Sequence, residues 1–209
     1  GYLDENLLKK YERLLPRHSE RKIDIGYRTR YLPYWLGRQG QYKSNIAKFF
    51  QDENKNYNLH VDIVCGEDAI LGNAWYKFLM NSRTALGCEG GASLLDPDGS
   101  VRKRVEVYMK NHPKAPFEEV EEQCFKGLDG KLDYSKISPR IFECCITKTC
   151  QILLEGNYDG ILRPGVHYIE VKKDFSNISE IFEKIKDIAY CEKLAETAYK
   201  DIVLSGKYT

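Results

Sequence analysis

The chain predicts an α/β domain: a parallel sheet with helices on both faces. Three observations lead there. From residue 22 onward, short β-branched runs alternate with stretches of helical apolar period. No internal repeat and no low-complexity tract interrupts the alternation. A chain of 209 residues, 42% apolar and 30% charged, suits one domain with a substantial core.

The elements follow in order. Leu3, Leu7, Leu8, Tyr11, Leu14 and Leu15 make a helical stripe that Pro16 ends. Residues 1–21 are therefore expected as an N-terminal helix and linker, and residues 22–209 as the main domain. "KIDIGY" alternates like a strand, "KSNIAKFFQD" reads as a helix with Ile46, Phe49 and Phe50 inward, and "LHVDIVCG" is a second strand. "GNAWYKFLMNS" is a helix with Trp75, Phe78 and Leu79 at core spacing, and "TALGCEGG" is a short third strand. The pattern then breaks. Residues 96–137 are expected to be an insertion, a hairpin and a lid-like loop carrying the acidic helical patch "FEEVEEQ". "SPRIFECCIT" is a helix, "CQILLEG" and "VHYIEV" are strands, and two helices close the chain. Ile178, Ile181, Phe182 and Ile185 form the inward stripe of the first of these.

Composition excludes several function classes. A net charge of +1 gives no general attraction to nucleic acid or acidic membranes, so any positive region must be local. Seven cysteines without framework spacing are expected as reduced thiols of a cytoplasmic protein. No Cys-x-x-Cys pattern and no helically spaced His pair suggests a metal, and no cofactor is expected. No apolar run reaches membrane-span length, and no signal peptide is read at the start.

Parallel sheets bind ligands beyond the carboxyl ends of their strands. The first strand is followed by Arg28, Arg30, Arg38 and Lys43 in one long connection, with Tyr31, Tyr34 and Trp35 among them. Arginine forks and a lysine at a helix start suit phosphate oxygens. The alternative is a solvated loop whose arginines pair with surface carboxylates. The aromatics either stack on a ligand or anchor the loop. After the third strand, Glu89 precedes Gly90 and Gly91, which permit close backbone approach; a tight turn with an exposed Glu is the competing view. Ser138 and Pro139 open a helix, with Arg140 in its first turn. The helix dipole disfavours that arginine unless an anion binds there. Glu143, one turn on, can accept hydrogen bonds from the vicinal hydroxyls of a ribose. His167 and Tyr168 fit sheet-end packing better than a cleft. Cations for a diphosphate, glycines for close approach and carboxylates for sugar hydroxyls are the inventory for a nucleotide-sugar.

"IGYR", the later Lys43, the Gly-rich turn with Glu89, and "RIFECCITKTCQILLEG" resemble the donor-binding half of GT-B glycosyltransferases. The likeness is to the "glycosyl transferases group 1" domain of surface-polysaccharide and spore-coat proteins, over residues 22 to about 204. It implies a Rossmann-like fold forming one half of a GT-B architecture. It implies that Arg28 and Lys43, joined by Arg140 from the reading above, hold the donor diphosphate. It likewise implies that Glu143 binds the ribose, with Glu89, Gly90 and Gly91 beside the ribose or sugar. Where better-known members carry a second Glu eight positions earlier, this chain has Ser135. The implied activity is transfer of a sugar from a nucleotide-sugar to a glycan or lipid-linked acceptor, without a bound metal. The catalytic base is not identified. The acceptor would come through an N-terminal half absent from this chain, which is then a fragment; peripheral membrane association is compatible with such a parent. Two alternatives remain. One is a non-catalytic nucleotide-binding module. The other is a haloacid-dehalogenase-type phosphatase, with Asp96 as nucleophile and Asp98 as acid/base in "DPDGS".

Overall fold

The computed structural model describes residues 3, 5–67 and 70–208. Five strands form one sheet: β1 (Ile23–Thr29), β2 (Val61–Cys65), β3 (Ser82–Gly87), β4 (Cys150–Leu154) and β5 (Tyr168–Val171). Their order is β2-β1-β3-β4-β5, and every pairing is parallel. The α/β class follows from this, as expected. Among the described residues the α-helices are α1 (Glu5–Tyr11), α2 (Arg38–Glu53), α3 (Gly72–Asn81), α4 (Ser100–Asn111), α5 (Phe117–Cys124), α6 (Pro139–Ile146), α7 (Ile178–Lys186) and α8 (Ile188–Ala198).

Parallel strands are covered on both faces, so their side chains alternate between two cores. Ile25 and Tyr27 of β1 join Ile46, Ala47 and Phe50 of α2 and Phe182 of α7 on one face. On the other, Ala85 packs on Phe78 and Leu79 of α3, a cluster that Ile23 joins at the start of β1. There Gly26 is required: a Cβ would meet the Ser82 hydroxyl and the Phe78 ring. Leu153 and Tyr168 meet Ile141 and Phe142 of α6 on that same face. The closing helix α8 runs on into a π-helical turn, Tyr199–Val203.

Three expectations change. The described part of the N-terminal stretch, residues 3 and 5–21, packs on the domain: Leu3 enters the α6 core and Tyr11 stacks on Tyr76 with ring centroids 4.6 Å apart. Asp4, near the expected start of that helix, lies outside the described residues. The α2 helix begins at Arg38, so Lys43 stands in its second turn rather than at its start. The insertion is a helical pair rather than a hairpin and a lid. Val101, Val105, Phe117, Val120 and Phe125 form its own small core, roofed by Tyr34 and Trp35. "DPDGS" is a turn that caps α4. Asp96 accepts the backbone N–H groups of Val101 and Arg102 (3.0 and 2.8 Å), and Asp98 accepts that of Ser100. This removes the phosphatase reading, because both carboxylates are committed to a helix start away from any strand end.

Candidate functional site

The chain runs from β1 to β2 on one side and returns past β1 to β3 on the other. Loops therefore diverge between the ends of β1 and β3, the position where open α/β sheets leave a crevice. A cavity of about 620 Å³ lies there. It is bounded by the end of β1, Cys88 after β3, and the starts of α3 and α6. Among the described residues, four cations and one carboxylate line it: Arg28, Arg30, Lys43, Arg140 and Glu143. Residues 112 positions apart thus share one hollow, as Arg140 donates to the carbonyl oxygen of Arg28.

The four cations are not equivalent. Arg28 bonds to the Asp62 carboxylate at 2.8 Å and to the Asp62 carbonyl oxygen at 2.9 Å, and its guanidinium lies 4.3 Å from the centre of the Phe78 ring. Its side chain is only 15% exposed, so its charge is already matched. Arg30, Lys43 and Arg140 have no carboxylate partner among the described residues. Arg140 is held by aromatic faces instead, 4.9 Å from the Tyr27 ring centre and 5.4 Å from that of Trp75. Cation–aromatic contacts orient a guanidinium without neutralising it. The start of α6 adds its free N–H groups, with Ser138 before the helix and Pro139 in its first position, as expected.

Glu143 is present but engaged. Its Oε2 accepts from the Trp75 indole N–H at 2.8 Å and its Oε1 from the Tyr76 hydroxyl at 3.5 Å. A carboxylate has about four acceptor sites, so it retains capacity toward the cavity. Burial pushes the Cys88 thiol up to about 11, against the pull of Lys43 and Arg140, so it is no thiolate nucleophile at neutral pH.

The remaining expected residues lie elsewhere. Glu89 is buried and turned away: its carboxylate accepts the backbone N–H groups of Tyr158 (2.7 Å) and Asn157 (3.4 Å), fastening the loop after β4. Gly90 pairs with Lys136 in an antiparallel bridge. A Cβ on Gly91 would overlap the Tyr134 carbonyl oxygen. Gly91 thus admits the chain's own segment 134–136, whereas a Cβ on Gly90 would make only ordinary contacts, with the Lys136 carbonyl oxygen and Lys43 Nζ. His167 is buried; its Nδ1 accepts from the Arg163 N–H and its Nε2 donates to Asp201, a packing role. Sequence reasoning left Arg30 unassigned and read Trp75 as core. Trp75 does touch Phe78, but its spacing could not reveal that its other side faces a cavity. Among the described residues, no group of three His, Cys, Asp or Glu side chains is placed to hold a metal ion. Nor is any of their helices long and apolar enough to cross a membrane.

A parallel sheet covered on both faces, with a cation-lined hollow at its switch point, places the chain among Rossmann-like α/β domains. No protein-family model matches it, and no curated protein does. Among solved structures, that of TarM is similar over 93% of this chain and 34% of that chain, at 12% identity and a TM-score of 0.42. The chain thus spans about a third of the length of TarM. A likeness at this level fixes neither family nor chemistry.

Proposed function

We propose that the chain is the donor-binding half of a GT-B-type glycosyltransferase and that the switch-point cavity receives the diphosphate of a nucleotide-sugar. One observation carries the reading: Arg30, Lys43 and Arg140, unpaired with any carboxylate among the described residues, line the same hollow as the α6 N-terminus. Unmatched cations around a cavity call for an anion. The size fits, since small-ligand sites commonly occupy about 300–1,000 Å³. Trp75 and Tyr76 add aromatic wall, and Glu143 offers its spare lone pairs to sugar hydroxyls.

In the reaction, the acceptor hydroxyl oxygen bonds to the anomeric carbon as the bond to the diphosphate oxygen breaks. The hydroxyl proton passes to a base or to the departing diphosphate. Negative charge collects on the diphosphate, where the fixed cations and helix dipole stabilise it most. Arg28, tied to Asp62, contributes by positioning: its carbonyl oxygen holds Arg140. The chemistry asks for no metal, and the acceptor and base would come largely from the remainder of a longer protein.

The test is calorimetric titration with uridine and guanosine diphosphates. Arg140→Ala and Lys43→Ala should each weaken binding about tenfold to a hundredfold, the loss of one charge-assisted contact. Arg38→Ala should not, because Arg38 pairs with Glu121 outside this cavity. Equal affinities in all variants would remove the cavity from consideration. A second reading, a binding module without turnover, is favoured by the engagement of Glu143. Release of free sugar from a nucleotide-sugar, lost in Arg140→Ala, decides for the enzyme.

A further inference from the structure

A second cavity, of about 870 Å³, opens between the β1–α2 connection and the α4–α5 insertion. Leu32 lines both cavities, so the two share a wall. We propose that this second cavity binds a carbohydrate, the acceptor glycan of the transfer; the acceptor role, though not the sugar binding, rests on the donor reading above.

A sugar ring has an apolar C–H face bordered by hydroxyls. It is recognised by an aromatic plane beside polar groups with spare hydrogen-bonding capacity. Both are here. Tyr31 is 72% exposed, with its ring on the cavity. Tyr34 and Trp35 line it too and are held in place: Tyr34 meets Phe117 edge-on at 5.5 Å, and the Arg102 guanidinium lies 5.1 Å from the centre of the Trp35 ring. Asn45, Lys48 and Lys110 line the same space and have no hydrogen-bond or ion-pair partner among the described residues. The two acids on the lining are matched, Glu106 by Arg102 at 2.7 Å and Glu118 by Arg38 at 3.8 Å. The free groups are therefore an amide and two ammonium donors, which suit hydroxyl or acidic sugar oxygens. A glycan lying here ends at Leu32, beside Arg30 of the first cavity. The insertion would then supply an acceptor subsite to the donor half itself.

The two tryptophans of the chain report separately, Trp35 on the second cavity and Trp75 on the first. Full-length protein is screened on an array of neutral and acidic oligosaccharides, and those retained are titrated against tryptophan emission. The expected result is a subset of glycans that changes the emission of Trp75→Phe, in which Trp35 remains, but not that of Trp35→Phe. Tyr31→Ala and Asn45→Ala, both at exposed positions, should weaken glycan binding at least tenfold and leave uridine diphosphate binding unchanged. No retained glycan, glycan binding that survives both substitutions, or a response confined to Trp75 would each overturn the proposal. Glycan binding without diphosphate binding would keep the carbohydrate site and discard the donor reading.

Discussion

Whether a charged side chain is available to a ligand is decided by its neighbours, not by its position in the sequence. Arg28 and Arg140 border one cavity, yet Asp62 matches the first while, among the described residues, rings and a carbonyl oxygen hold the second. The same logic makes His18 a stability determinant. It is buried, its Nε2 donates to the Lys148 carbonyl oxygen at 2.8 Å, and its Nδ1 has no partner among the described residues. Burial first, and the nearby Arg21 second, lower its pKa from the usual 6.5. The unfolded chain therefore takes up a proton near pH 6.5 while the folded chain resists until lower pH. Stability falls as pH drops from 6.5 toward the folded value and levels off below it. Urea midpoints measured above and below pH 6.5 should show this drop in the wild type and a smaller one in His18→Gln, whose amide can keep the Lys148 contact. An equal drop in both would assign the acid sensitivity to other groups.

At the scale of elements, period and punctuation carried most of the fold. Ile181, Phe182 and Ile185 announced α7 by spacing, and Ser138–Pro139 announced the start of α6. The α4 helix was legible in hindsight, since Val101, Val105, Tyr108 and Met109 repeat at helical intervals. Charges at most of the intervening positions hid it, and it is held by burial of Val101 and Val105 against α5 and by the Asp96 cap, neither of which a local pattern shows. The start of α2 was hidden differently. Its first N–H groups are capped by residues distant in sequence, the Asp129 carboxylate of the insertion on Arg38 (2.9 Å) and the Ser93 hydroxyl, just before the insertion, on Gln39 (3.0 Å). Such a long-range cap leaves no local signature. The insertion is anchored by the ladder between Gly90–Ala92 and Tyr134–Lys136. Gly91 has φ of 112° there, and a Cβ would strike the Tyr134 carbonyl. Gly91→Ala should cost about 1–3 kcal/mol by urea denaturation, from strain and overpacking together. Faster amide exchange at Tyr134 and Lys136 would accompany it. A fully stable variant with unchanged exchange would show that this contact does not anchor the insertion.

For the whole molecule, the question is whether separate segments act as one anion site. The sequence showed the cations Arg28, Arg30, Lys43 and Arg140 but not which would find carboxylates, because Asp62 lies on a different strand. It showed Glu89 without its hidden partners, the Asn157 and Tyr158 amides. Convergence depends on topology: the reversal at β1 brings the β1 end, α2 and α6 around one hollow. A ligand there that binds only the folded chain stabilises it by about 2.7 kcal/mol at a hundred times its dissociation constant. For a domain of this size that is a rise in melting temperature of about 5–10 °C. Uridine or guanosine diphosphate should produce the rise, and the parent nucleoside should produce little, since the free cations face the phosphates. Raising ionic strength should shrink the diphosphate effect, because Arg30 is solvent-exposed and Lys43 and Arg140 are partly so, and salt screens them. A nucleoside as effective as its diphosphate, or a shift indifferent to salt, would mean that base contacts rather than convergent charge hold the ligand, and the cavity would have to be reassigned.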